Sequence, residues 1–227
     1  MTKKLPASPK PTTHFQQVPV KVVKQTVEPP PGRATSHADG GHFHGVQFYN
    51  DSDGLCRIVG AFIGEGLEQE ALAVIIATPE HTARVEECLR RRGADIEALK
   101  RSGHLATFDA HETLQLFMRD GMPNPGAFRR SIGEILKVVR HGREERAIRA
   151  YGEMVNVLWK DGREAAAIRL ETLWNQLAST HDFDLLCGYS MGNFYKGAAL
   201  DEIRSQHSHV VPNEGGGDAP TLPAASA

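Results

Sequence analysis

The chain has 227 residues, is 40% apolar and carries a formal net charge of −2. That length suits one domain with extensions, or at most two small ones. No run approaches the ~20 apolar residues of a membrane span, and the opening MTKKLPASPKP is basic but lacks the apolar stretch of a secretory signal. Cys56, Cys88 and Cys187 stand far apart with no CxxC among them, so a disulfide framework is not expected and a reduced, cytoplasmic protein is.

Residues 1–40 hold seven of the 13 prolines and six Lys or Arg against two acids, with no apolar periodicity, so they are predicted to be a disordered basic tail. Its charges are too few and too scattered to argue for nucleic acid. Residues 213–227, rich in Gly, Ala and Pro, are predicted disordered as well. The stretch 41–212 is left, about 170 residues, enough for one well-buried core.

Within it, strands and helices alternate. HGVQFY (44–49) reads as a strand, followed by Asp51 or Ser52 as a helix cap and by Leu55, Ile58, Val59, Phe62, Ile63 and Leu67 at helical spacing. ALAVIIAT (71–78) is an unbroken apolar run, as suits a central parallel strand. Pro79 fits the first turn of the next helix, which Gly93 stops, and a short helix follows over Ile96 and Leu99. A strand over Leu105–Asp109 leads into a helix capped by Asp109, with Glu112 three residues on. After a break at MPNP (122–125), Phe128, Ile132, Ile135, Leu136 and Val139 mark a helix. Ala147–Tyr151 reads as a strand, Gly152–Trp159 as a turn into a short helix, and Leu170, Trp174 and Leu177 as a core stripe. Asp184–Tyr189 is a fifth strand, and 193–206 reads as helix. Such alternation predicts an α/β fold: a three-layer, doubly wound, mostly parallel sheet of at least five strands. Ligands of such sheets bind beyond the strand C-terminal ends.

Seven blocks in order, HGVQFYND (44–51), IATPEHTARVEECLRRRGADIEAL (76–99), FDAHETLQLFMRDGMPNPGAF (108–128), RAYGEMVNVLW (149–159), LETLWNQLA (170–178), FDLLCGYSM (183–191) and HSHVVPNE (207–214), resemble the MEDS domain, the methanogen/methylotroph, DcmR sensory domain family. The resemblance implies a sensor of small molecules, including hydrocarbon derivatives, that serves a DNA-binding or histidine-kinase output. It also implies a degenerate RecA/KaiC-like core. The loop where a phosphate loop would lie, Asn50–Cys56, has one glycine, no lysine and two aspartates, so loss of ATP hydrolysis is expected.

The expected site is the crevice at the strand C-terminal ends, lined by Tyr49, Thr78, Asp109, Glu153 and Trp159 and supported by His44 and Gln47. Glu153 reads either as a pocket-facing acceptor or as a helix-start carboxylate. His42-x-His44 and His207-x-His209 have ligand spacing, and Cys56 or Cys187 is available to join them, but nothing in the sequence brings the pairs together; no metal and no cofactor are expected. His81 and His111 fall in first helical turns, where capping or solvent contact is expected. No GxSxG elbow occurs, so no nucleophilic triad is expected. The expectation is a non-enzymatic sensory module that binds a small organic molecule and signals to a separate partner, such as a histidine kinase or transcription regulator. It is expected to touch neither nucleic acid nor membrane. The alternatives are an adaptor without a small ligand and a residual nucleotide-binding protein.

Overall fold

The computed structural model describes residues 42–193 and 197–211, with the backbone alone at 193 and 197–199. Both predicted disordered tails therefore lie outside the described residues. The chain runs β1 (His44–Tyr49), α1 (Ser52–Glu68), β2 (Leu72–Ala77), α2 (Pro79–Arg91), α3 (Ile96–Arg101), β3 (Leu105–Asp109), α4 (Ala110–Phe117), β4 (Met118–Arg119), β5 (Met122–Pro123), α5 (Pro125–Arg140), β6 (Ile148–Gly152), α6 (Met154–Lys160), α7 (Glu164–Ala178), β7 (Asp184–Ser190), α8 (Gly197–Ser205) and β8 (His209–Val211). No helix among the described residues is long and apolar enough to cross a membrane.

Local chemistry sets the boundaries. Asp51, Asp95, Asp109 and Asn124 each cap a helix by accepting a hydrogen bond from the backbone N–H three residues on. Pro79 and Pro125 sit in the first turns that those helices leave without backbone partners. Gly93 and Gly142 end α2 and α5 at φ +90° and +72°, a region that disfavours any side chain.

Six strands form one parallel sheet in the order β3-β2-β6-β7-β1-β8, while β4 and β5 make a separate two-stranded hairpin. The predicted doubly wound α/β fold is what the chain adopts. From β1 to β3 the chain moves toward one edge of the sheet; from β3 to β8 it moves back toward the other. Right-handed crossovers then require the helices of the two halves to cover opposite faces. The core divides accordingly. Leu55, Val59, Ile63, Val85 and Leu89 pack on one face with Ile75 and Tyr151. Phe117, Phe128, Leu170, Trp174 and Phe183 pack on the other with Val46, Val74 and Leu185. Trp174 is core, as its stripe predicted, and meets Phe128 edge-on at 5.1 Å. β2 is buried along its whole length, as its apolar run required.

Candidate functional site

The reversal of winding direction falls between β2 and β6. The helix after β2 leaves to one face and the helix after β6 to the other, the switch point beside which ligands of such sheets bind, at the C-terminal ends of the two strands. The residues that follow the strands, Thr78 and Glu153, meet there. Glu153, 1% exposed, sits at the N-terminus of α6, and its N–H donates to the Ile76 carbonyl at 2.9 Å, extending the β2–β6 ladder by one bond. Its Oε2 accepts from the Thr78 N–H at 3.0 Å and from the Thr78 hydroxyl at 3.4 Å. Its Oε1 lies 2.5 Å from His81 Nδ1. The opposite ring nitrogen, His81 Nε2, lies 3.0 Å from the Ser52 hydroxyl at the start of α1. A carboxylate, an imidazole and a hydroxyl thus stand in line across three elements.

Tyr49, at the end of β1, packs edge-on to His81 with ring centroids 6.0 Å apart and accepts a hydrogen bond from Asn156 Nδ2. Burial and the nearby Glu153 raise its phenol above the ordinary tyrosine range. The Asn156 Oδ1 accepts from the Ser190 N–H, so one buried amide ties the ends of β1 and β7 to α6. Beside the relay, a groove of about 330 Å³ lies between α1 and α2, lined by Asp53, Cys56, Arg57, Ala83, Arg84 and Cys88 among others. Burial, and secondarily the neighbouring Cys88, push the Cys56 thiol up to about 12.

The predicted site residues are therefore only partly gathered. Tyr49, Thr78 and Glu153 converge. Asp109 lies at the end of β3, in register with Ala77, and caps α4. Trp159 packs edge-on to Tyr189 in the core. Gln47 is fully buried and donates to the Phe48 carbonyl. His44 begins β1, toward the opposite end of the strand from Tyr49. There Nδ1 contacts Asn175 Oδ1 at 2.8 Å and Nε2 faces Glu171 at 3.3 Å. Burial alone would raise Glu171, but His207 and His44 hold its carboxyl well below the usual range. His81, expected to cap its helix or meet solvent, is only 6% exposed and is central to the relay, because Glu153 reaches it across the sheet. Ser52, His81 and Glu153 also form the hydroxyl–imidazole–carboxylate line that the missing elbow motif argued against. Their spacing depends on strand order, and a local motif does not report that.

The fold and this site define a doubly wound, parallel α/β domain with a polar relay at its topological switch point. The model of the MEDS domain, MEthanogen/methylotroph, DcmR Sensory domain, matches residues 43–208, and the chain belongs to that family. No curated protein matches it. Family membership makes the domain a sensory one.

Proposed function

We propose that the domain binds a small organic molecule beside the Ser52–His81–Glu153 relay and passes the change to a separate signalling protein, without catalysing a reaction. The observation that carries this reading is the relay's position at the β2–β6 switch point next to the groove between α1 and α2. Cys56, which lines that groove, has its Sγ 4.0 Å from the His81 carbonyl. A cavity of that size is at the small end of ligand pockets. A ligand with one hydrogen-bonding group and an apolar body would compete for Ser52 or His81 and move the first turn of α1. A histidine kinase or a transcription regulator is the kind of partner that would read the movement. Free Cys56, Cys88 and Cys187 support a cytoplasmic setting.

A thermal-shift screen of small halogenated, C1 and oxygenated organics tests the reading, since a compound that binds the native state raises its stability by mass action. A shift with one chemical class that the variant Glu153→Gln abolishes is expected. The absence of a shift with every class would favour the adaptor alternative.

The alignment of Ser52, His81 and Glu153 favours a second reading, acyl transfer, because a nucleophile needs a base held by a third group. Labelling of Ser52 by a fluorophosphonate, lost in His81→Ala, would replace the sensory reading with an enzymatic one.

A further inference from the structure

At the other end of β1, four side chains from four elements converge. His44 opens β1, Glu171 lies on α7, Cys187 on β7, and His207 follows α8. The potential donor atoms, one from each residue, all lie within 4.8 Å of one another. His44 Nε2 is 3.3 Å from Glu171 Oε2, Cys187 Sγ is 3.6 Å from both of those atoms, and His207 Nε2 is 3.4 Å from Glu171 Oε1. Zinc bonds of ~2.0–2.2 Å to N and O and ~2.3 Å to S give tetrahedral edges of roughly 3.3–3.6 Å. The three separations among His44 Nε2, Glu171 Oε2 and Cys187 Sγ match those edges, while His207 Nε2 lies beside the other carboxylate oxygen and completes a set that fits within 4.8 Å.

The surrounding groups aim the donors inward. His207 Nδ1 donates to the Ile203 carbonyl at 2.7 Å, and a carbonyl accepts only, so Nδ1 carries the proton and Nε2 is left facing the cluster. His44 Nδ1 is held by Asn175 Oδ1, and the Asn175 amide nitrogen is itself bound to the Gln206 carbonyl, which fixes which way the amide points. The Tyr189 hydroxyl donates to Glu171 Oε1 at 2.8 Å. Such outer partners are what orient metal ligands. Both the Glu171 and His207 side chains are fully buried, and the nearest partner of His207 Nε2 among the described residues is Glu171 Oε1, at 3.4 Å. Without an ion the Cys187 thiol and the imidazoles can donate to the Glu171 carboxylate; with the thiol and the inward ring nitrogens deprotonated, the four atoms turn lone pairs toward one point in a dry interior, where a divalent cation would balance them.

We propose that His44, Glu171, Cys187 and His207 form a closed tetrahedral site for zinc. A thiolate, a carboxylate and two neutral imidazoles balance a divalent ion without net charge, and the donor set suits zinc better than magnesium or calcium. With all four positions taken by protein, the ion is structural. It would tie the segment after α8, and β8 with it, to α7 and the sheet. This assignment is independent of the ligand site at the β2–β6 switch point.

The test uses the full chain, stripped with a chelator and titrated with zinc or with cobalt(II) as a spectroscopic probe. One equivalent per chain, a raised unfolding temperature and a thiolate-to-cobalt charge-transfer band are expected. Cys187→Ser should remove the band, and Asn175→Ala should weaken binding by about 10–100-fold. His42→Gln and His209→Gln, outside the cluster, should keep the full equivalent. If a variant fails to fold, the wild-type band and its displacement by zinc still decide. Binding below a tenth of an equivalent, a cobalt spectrum without thiolate character, or loss of binding in the His209 variant alone would overturn the proposal.

Discussion

Glu153 and His81 are 72 positions apart in the chain, and their side chains meet at 2.5 Å in the interior. Sheet order makes that contact, because β2 and β6 are neighbours and each contributes the residues just past its end. Exchanging the carboxylate for an amide keeps the shape but removes the charge-assisted bonds to His81 and Thr78. Glu153→Gln should therefore lower stability by about 1.5–3 kcal/mol, the worth of hydrogen bonds to a charged group. Urea titration would show this as a lower midpoint at an unchanged slope. An unmoved midpoint would mean that the relay contributes nothing to the fold.

Gly188 and Tyr151 give a prediction about packing. A Cβ at 188 would lie 2.7 Å from the Tyr151 hydroxyl oxygen, which is itself buried without a hydrogen-bond partner among the described residues. Gly188→Ala should cost about 1–3 kcal/mol through overpacking. Tyr151→Phe alone should be neutral or stabilising, because it removes an unsatisfied polar atom. The double variant should recover part of the loss, and a coupling energy near zero in the cycle would contradict the contact.

Thiol reactivity should separate two cysteines that line the same groove. With its thiol pushed up to about 12, Cys56 should resist iodoacetamide in the native protein at pH 8, while half-buried Cys88 reacts. Peptide mass spectrometry after timed alkylation would check the order; equal labelling of both would contradict the burial of Cys56.

His104 supplies a pH dependence. Burial, then the charges of Arg143 and Arg146, lower its pKa below the ordinary 6.5, so the fold favours the neutral ring. A group of that kind binds more protons in the unfolded chain. Its contribution is present above about pH 6.5 and is lost as pH falls through the lowered folded value. Urea midpoints measured from pH 8 to pH 5 should fall less steeply in His104→Gln than in the parent chain.

Much of the fold was legible because its signals are local. The capping aspartates, the apolar run of β2 and the Trp174 stripe each act within a few residues, and each does in the structure what it suggests in sequence. β8 was not legible: it falls inside the predicted domain, but it is three residues long with His209 and Val210 exposed, too short to show a strand pattern. The site was half legible. Thr78 and Glu153 could be placed because both follow strands. His81 sits among Glu and Arg in the first turns of an amphipathic helix, a context that normally means solvent, and its partner lies on a strand whose neighbours no periodicity reveals. Cys187 could not be joined to His44 and His207 for the same reason: Glu171 and His207 reach it only through packing.

The place of β1 in the sheet bears on how the protein can form. Among the described residues, the first strand to be synthesised is flanked by the last two, pairing with β7 from His44 to Tyr49 and with β8 from Gly45 to Gln47. Until residue 190 has been made, β1 has no native neighbour on either side, and the loop to be closed in order to reach one spans most of the domain. Contacts of such long range slow folding and leave strand edges bare meanwhile. The β2–β3 pair and the helices on it can form early, but completion waits for the C-terminal segment. A chain truncated before Asp184 should therefore fail to assemble the sheet rather than lose one edge of it.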